Sequence, residues 1–120
     1  MGTRAVITFI DEHDTHHVYK HWDGNPVDIL QGIERATAYA WPLPRFESDE
    51  FATAFIAANK PKGGGDIRMS HTYEDSPDLA YRYEVRLSRG KLDVRAFTPI
   101  YGANGDVAGW AKYAIAVATT

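Results

Sequence analysis

The hydrophobic period of this chain changes twice, and the resulting order of segments restricts its possible folds. Apolar and polar residues largely alternate in residues 3–22, and apolar residues recur every three or four positions in residues 26–58. From Asp66 onward the alternation returns, most clearly in residues 81–96. A period of two indicates strands, and a period near 3.6 indicates helices. The order predicts an α+β domain in which two helices pack on one face of an antiparallel sheet (ββαα followed by antiparallel strands).

The amino-terminal part is predicted to be a hairpin. Residues 3–10 (TRAVITFI) are rich in β-branched residues and indicate a largely buried strand. Residues 11–15 (DEHDT) form a polar turn, and residues 16–22 (HHVYKHW) return as a second strand. In that strand one face would carry Val18, Lys20 and Trp22, and the other His17, Tyr19 and His21.

The first helix is predicted to begin at Pro26 and to end before Pro42 and Pro44. Asn25 supplies an N-cap, Pro26 occupies the first helical position, and Asp28 places an acid in the first turn. The apolar positions expected to face the core are Val27, Leu30, Ile33, Ala36 and Ala40.

The second helix is predicted to be capped by Ser48, together with Asp49 and Glu50. Residues 60–65 (KPKGGG) end it. Its core positions would be Phe51, Ala54, Phe55 and Ala58.

A second hairpin follows in residues 81–96, and its register can be predicted from charge. A two-residue loop would place Glu84 opposite Arg95 and Arg86 opposite Asp93. The same register places Val85 opposite Val94 and Leu87 opposite Leu92 on the core face. Asn104 and Gly105 mark another turn, after which residues 107–118 form a last strand with Tyr113, Ile115 and Val117 on one side.

Length and composition exclude several classes of protein. The 120 residues suit a single domain, residues 1–120, and the lack of cysteine excludes disulfides, thiolate zinc sites and a cysteine nucleophile. We therefore expect the reducing cytoplasm. No stretch approaches the ~20 apolar residues of a membrane span, and the net charge of −3 argues against general DNA or RNA binding.

Three candidate chemistries have simpler explanations. His13, His16, His17 and His21 crowd one hairpin but lack carboxylate partners at ligand spacing, so they favour surface positions over a metal site. Gly63–Gly65 beside Lys60 and Lys62 could cradle phosphates or close as a lid, but no P-loop motif is present and a connector is favoured. No GxSxG motif occurs, and the paired carboxylates fall in turns or at a helix start. We predict no catalytic residue, no metal and no cofactor.

Cationic and aromatic side chains on strands or their ends form the most suggestive combination. Guanidinium groups bind phosphates, and planar bases stack on aromatic rings, so this combination is typical of nucleotide binding. The alternative is a sheet with an aromatic core and a salt-bridged outer face. The predicted ligand-binding residues are Lys20, Trp22, Arg68, Arg82, Tyr83, Arg95, Phe97, Tyr101 and Asn104, with Lys112 in the same cluster.

Residues 3–12 (TRAVITFIDE) and 18–26 (VYKHWDGNP) resemble the start of small phage and prophage proteins with a TRA-type first strand and a YKHWDG-type second strand. In size and layout the chain also resembles the Thoeris anti-defence sponges. Those proteins bind cyclic ADP-ribose-type signals, and sometimes cyclic oligonucleotides, without degrading them, and they assemble as dimers or higher oligomers. The resemblance implies a phage protein that sequesters such a signal in the cytoplasm of its bacterial host.

A second hypothesis stays open beside the sponge. An exposed edge strand or the segment 41–46 (WPLPRF) could dock on a host protein, which would make the chain a protein-binding inhibitor or accessory factor. Under either hypothesis we expect a homo-oligomer, because the long last strand leaves a sheet edge that must be covered.

Overall fold

Six strands and two helices make up the fold in a computed structural model, which describes residues 3–60, 67–72 and 78–113. The strands form one sheet in the order β3-β2-β1-β4-β5-β6. Along the chain the elements are β1 (Ala5–Ile10), β2 (Thr15–Lys20), α1 (Pro26–Thr37), α2 (Ser48–Asn59), β3 (Ile67–Ser70), β4 (Tyr81–Ser88), β5 (Lys91–Tyr101) and β6 (Val107–Tyr113). The predicted α+β class is confirmed.

The sheet is mixed, which corrects the prediction that it is antiparallel throughout. β1 pairs with β4 in parallel, whereas the other neighbouring pairs are antiparallel. The short strand β3 was not separated in the sequence analysis, and it pairs with β2 at one edge. A hydrophobic period identifies a strand, but it carries no information about which distant strand lies beside it.

The sheet has two faces with different roles. The helix face packs against α1 and α2 and includes Ile7, Val18 and Tyr83, while the second face includes Val6 and Tyr19. β2 alternates as predicted. Val18 pairs with Ile7 of the helix face, and Tyr19 pairs with Val6 of the second face. Trp22 lies beyond the end of β2, so its predicted place on that strand is wrong.

The first helix begins as predicted, and Val27 is the one predicted core position that does not pack against the core. Asn25 caps the helix by accepting a hydrogen bond from the backbone N–H of Asp28 at 3.1 Å. Val27 is 65% exposed, and Ile29 is buried in its place. Two residues turn a helix by about 200°, so burying Ile29 directs Val27 toward solvent. The buried positions are Ile29, Gly32, Ile33 and Ala36.

The second helix buries Phe51, Ala54 and Phe55 as predicted. Its start differs, because the residue at the N-cap position is Glu47 and makes no side-chain cap. Ser48 is instead the first helical residue, and its backbone N–H donates to a carboxylate oxygen of Asp11 at 2.6 Å.

The β4–β5 register confirms the predicted partners Glu84 with Arg95, Arg86 with Asp93, Val85 with Val94 and Leu87 with Leu92. Asn104 and Gly105 form the turn before β6, and Gly105 has a φ of 86°, which glycine adopts without steric cost. The predicted last strand begins at Val107, but residues 114–118 lie outside the described residues, as do Gly63–Gly65.

Most of the core lies between the helices and the sheet, where Phe9 contacts Phe51 and Phe55 with ring centroids 5.7 Å apart. A smaller cluster on the second face contains Val6, Tyr19 and Leu79, with Trp110 packed against it. Across the described ranges, neither helix has the length and apolar composition needed to cross a bilayer.

Candidate functional site

One row of side chains runs in register across all six strands on the second face. Paired residues in neighbouring strands point to the same side of a sheet, and neighbouring strands lie about 4.8 Å apart. The row therefore brings each side chain within reach of the next. From edge to edge it contains Arg68, Tyr19, Val6, Arg82, Phe97 and Lys112.

Two cation–aromatic pairs lie in this row. The guanidinium carbon of Arg68 is 4.7 Å from the ring centroid of Tyr19. The guanidinium carbon of Arg82 is 5.4 Å from the ring centroid of Phe97. Val6 lies between the two pairs, so the row offers two separate combinations of ring and positive charge.

The small cluster on the second face separates those pairs. Leu79 is buried against Val6 and Tyr19. Arg4 fixes the neighbouring segment through an ion pair with Asp78 at 2.9 Å and a backbone bond from Ala80. On one side of this cluster the row continues across β4, β5 and β6 with Arg82, Phe97 and Lys112.

Ion pairs on this face run along the strands, although the sequence predicted them across the strands. Glu84 accepts from Arg82 and from Arg86, each at 2.9 Å, and Asp93 accepts from Arg95 at 3.1 Å. Residues two apart on one strand share a face and lie about 6.6 Å apart, within the reach of an arginine side chain. The predicted register is right, but these three ion pairs join residues of the same strand.

Burial and charge change from β4 to β6. The side chains of Arg82 and Glu84 are only 15% and 17% exposed, whereas Arg95 is 47% exposed. Lys112 is exposed, and no ion pair joins it to any residue that the structure describes. Lys112 therefore carries a positive charge beside Phe97 that no ion pair with a described carboxylate balances.

The predicted ligand-binding residues fall on both faces of the sheet. Arg68, Arg82, Arg95 and Phe97 lie on the second face. Lys20 and Tyr83 are buried on the helix face, opposite Ala5 and Ile7 respectively. A single cavity containing all of them is excluded, because the sheet itself lies between the two groups.

Tyr83 has a structural role in this arrangement. Its hydroxyl donates to the carbonyl oxygen of Gly24 at 2.6 Å, and the side chain is fully buried. Burial raises the pKa of the Tyr83 hydroxyl well above its usual range, so the proton needed for that bond is retained. Its ring stacks on that of Tyr81, with centroids 6.0 Å apart.

The remaining three predicted residues lie apart from the row. Trp22 follows β2 and contacts His21 edge-on, with ring centroids 4.5 Å apart. Tyr101 is exposed at the end of β5. Asn104 lies in the turn before β6, where its side chain bonds Asp106.

Sequence reasoning missed Tyr19 and named Lys112 only as part of the wider cluster, although both lie in the row. Tyr19 shares a face with His17 by simple alternation, but its partner Arg68 is identified only by the β2–β3 pairing. Lys112 faces Phe97 across β5 and β6, and the Asn104–Gly105 turn was the available signal for that hairpin.

The histidines of the first hairpin make ordinary polar contacts. Nδ1 of His17 lies 2.8 Å from Oγ1 of Thr8, and Nδ1 of His21 lies 2.8 Å from the hydroxyl of Tyr19. Among the residues that the structure describes, no group of three or more histidine, aspartate or glutamate side chains is arranged to hold a metal ion.

The second-face row combines a planar ring with guanidinium and ammonium groups, which suits an anion that carries an aromatic ring. On β4, β5 and β6 these groups can bind such a ligand through stacking and charge. Comparison of the chain with protein-family models, curated proteins and solved structures found no match in any of the three.

Proposed function

We propose that this protein binds a small phosphate-bearing nucleotide on the second face of the sheet, across β4, β5 and β6, and holds it without cleaving it. The ligand class we propose is a cyclic nucleotide immune signal of the cyclic ADP-ribose type. The protein would then act as a phage anti-defence sponge in the cytoplasm of an infected or lysogenic bacterial host.

The observation that carries the proposal is the in-register row of Arg82, Phe97 and Lys112 on three adjacent strands. A base stacked on the Phe97 ring would have a cationic side chain on either side, each about one strand spacing away. Arg95 lies two residues from Phe97 on the same face and adds a third positive group. Phosphates attached to the base through a ribose would lie within reach of these groups.

The distribution of charge favours the same part of the second face as the binding site. Glu84 and Asp93 each already bind a guanidinium group, while Lys112 has no carboxylate partner within the described ranges. An incoming phosphate would therefore meet a local excess of positive charge in a protein whose net charge is −3. Neither Lys20 nor Tyr83 takes part, because both are buried on the helix face.

The ligand class comes from the resemblance of residues 3–12 and 18–26 to small phage proteins, and of the size and layout of the chain to the Thoeris sponges. A sponge competes with a receptor through affinity alone, so its Kd must be low. A sheet face is shallow, and tight binding requires that most of the ligand surface be covered. A second protein copy beside β6 would supply the missing wall.

Isothermal titration of the purified protein with cyclic ADP-ribose isomers and small cyclic oligonucleotides tests the proposal. We expect at least one member of the panel to bind with a Kd below about 10 μM. Heating the complex and analysing the supernatant by mass spectrometry should recover that ligand intact. Weaker binding across the whole panel would remove the proposal, and a cleaved product would replace the sponge with an enzyme.

Substitution of a row residue tests whether the row contributes to nucleotide binding. Phe97→Leu keeps the residue apolar but removes the stacking surface, and we expect it to weaken binding by about tenfold or more. Arg89→Gln is a control outside the row, because Arg89 is an exposed residue of the β4–β5 turn. That variant should bind the nucleotide as the wild type does.

We also propose that the protein forms a homo-oligomer through the β6 edge. Among the strands that the structure describes, β6 has one neighbour, and the exposed hydrophobic residues Val107 and Tyr113 lie on β6. Exposed edges of this kind pair readily with another strand. Light scattering after gel filtration should give at least twice the mass of one chain, and the mass of a single chain at micromolar concentration would contradict this assembly.

A further inference from the structure

A groove on the helix side of the molecule has a lining quite different from that of the second face. Its volume is about 370 Å³, and it is lined by Tyr39, Trp41, Glu47, Asp49, Glu50, Thr53, Ala54 and Ala57. Five of these residues belong to α2, and Tyr39, Trp41 and Glu47 belong to the connector between α1 and α2, whose rings we call the walls. Clefts of this size admit small ligands or a few side chains of a partner.

Two aromatic rings on the walls are accessible. Tyr39 is 65% exposed, and Trp41 is 38% exposed. The guanidinium carbon of Arg45 lies 3.5 Å from the Trp41 ring centroid, and Arg45 is not one of the lining residues. The ring is therefore already used for a cation–π contact within the chain, while the Tyr39 ring makes no such contact with any described residue.

Three carboxylates share the groove with these rings. Glu47 pairs weakly with Arg45 at 3.5 Å. Asp49 and Glu50 accept only backbone N–H bonds, from Glu50 and Trp41 respectively, and neither pairs with a cation among the residues described. The positive end of the α2 dipole stabilises Asp49 and Glu50 in the first turn without cancelling the field they project outward.

We infer that this groove binds a lysine- or arginine-bearing segment of a partner protein. The aliphatic stem of a basic side chain would cover Thr53 and Ala57, and its charged head would meet the carboxylates and the face of Tyr39. Charge complementarity selects the occupant, because an acidic segment would be repelled by all three carboxylates. This site is independent of the nucleotide site, which uses other residues on the opposite side of the sheet.

An NMR titration of the full-length protein tests the inference. The probe is an acetylated and amidated five-residue peptide that alternates lysine and alanine, and the matched probe replaces each lysine by glutamine. We expect the lysine peptide to shift the signals of Tyr39, Thr53, Ala57 and the Trp41 indole N–H, with a Kd of about 0.1 to 1 mM at low salt. Equal shifts from the glutamine peptide, or shifts elsewhere on the surface, would overturn the inference.

Tetramethylammonium, added separately, distinguishes a small organic cation from a protein segment. Weaker binding than that of the lysine peptide supports the inference, and tighter binding overturns it. The double substitution Glu47→Gln with Asp49→Asn should weaken peptide binding by about tenfold. Glu34→Gln removes one negative charge from an exposed position of α1 that does not line the groove, and it should leave binding unchanged.

Tyr39→Ala provides a second variant if the double substitution disturbs α2. Tyr39 is exposed, so its replacement should preserve the circular dichroism of the wild type. We expect about threefold weaker peptide binding from the loss of the ring face. Unchanged affinity in this variant and in the folded double variant would show that the groove is not the peptide site.

Discussion

A single carboxylate joins the first hairpin to the second helix. One oxygen of Asp11 accepts the backbone N–H groups of His13 and Asp14 at 2.7 and 2.8 Å, and the other accepts that of Ser48 at 2.6 Å. The backbone N–H of Ser48, followed by those of Asp14 and His13, lowers the pKa of Asp11 well below its usual value. Asp11 thus supplies the helix cap that the sequence assigned to Ser48.

Asp11→Ala should lower the free energy of unfolding by about 1 to 2 kcal/mol at pH 7, because it removes a charged cap from three backbone donors. Urea unfolding followed by circular dichroism measures this difference. Glu12→Ala is the matched control, since Glu12 is the exposed neighbour in the same turn. A loss of the same size in the control would show that the turn, and not the Asp11 carboxylate, matters.

The Asp11 contribution should depend on pH in a defined direction. A folded-state pKa below the unfolded value means that the stabilisation is complete above the unfolded pKa of 3.8 and is lost as pH falls toward the folded pKa. The stability difference between the wild type and Asp11→Ala should therefore be constant from pH 7 to 5 and shrink below pH 4. A difference that grows on acidification would contradict this account.

At the scale of elements, the connection between β2 and α1 is fixed to the sheet at Gly24. Its N–H donates to the carbonyl oxygen of Thr3 at 2.8 Å, and its own carbonyl oxygen accepts from Tyr83. A Cβ atom at this position would lie 2.5 Å from the Thr3 oxygen and 2.7 Å from the Ala5 Cβ. This close approach is available only to glycine.

Gly24→Ala should lower the free energy of unfolding by about 2 to 3 kcal/mol, because the added methyl group overlaps backbone atoms that the β1 pairing holds in place. Thermal unfolding of the variant provides the measurement. Gly109→Ala on β6 is the matched control, since a Cβ atom there meets no atom within 4 Å. Equal destabilisation by both substitutions would contradict the steric explanation.

Elements defined by local sequence were predictable, and those defined by distant pairing were not. The Asn25 cap, the two helices and the β4–β5 register follow from signals within a few residues of each other. The parallel pairing of β1 with β4 joins residues more than 70 positions apart, and nothing in the period of either strand specifies it. In α1 only Val27 was misassigned to the core, because Val27 and Ile29 are both apolar and packing chooses between them.

For the whole molecule, charge is unevenly distributed between the two sides of the fold. The carboxylates Glu47, Asp49 and Glu50 surround the groove at the start of α2, while Arg95 and Lys112 flank Phe97 on the second face. Sequence reasoning identified the chemical types of the second-face residues correctly as cationic and aromatic. Alternation separated Arg82 from Tyr83, but it could not show that Arg68 and Lys112 lie in one row with Arg82, because that depends on which strands are neighbours.

The nucleotide proposal depends on ligand contact with β4, β5 and β6, and an NMR titration measures this most directly. The titrant is the tightest-binding member of the nucleotide panel, added to ¹⁵N-labelled protein while the backbone amides are followed. We expect saturable shifts at Arg82, Arg95, Phe97 and Lys112, with the amides of α1 and α2 unchanged. Shifts confined to the helices, or to residues remote from Phe97, would contradict the proposed site.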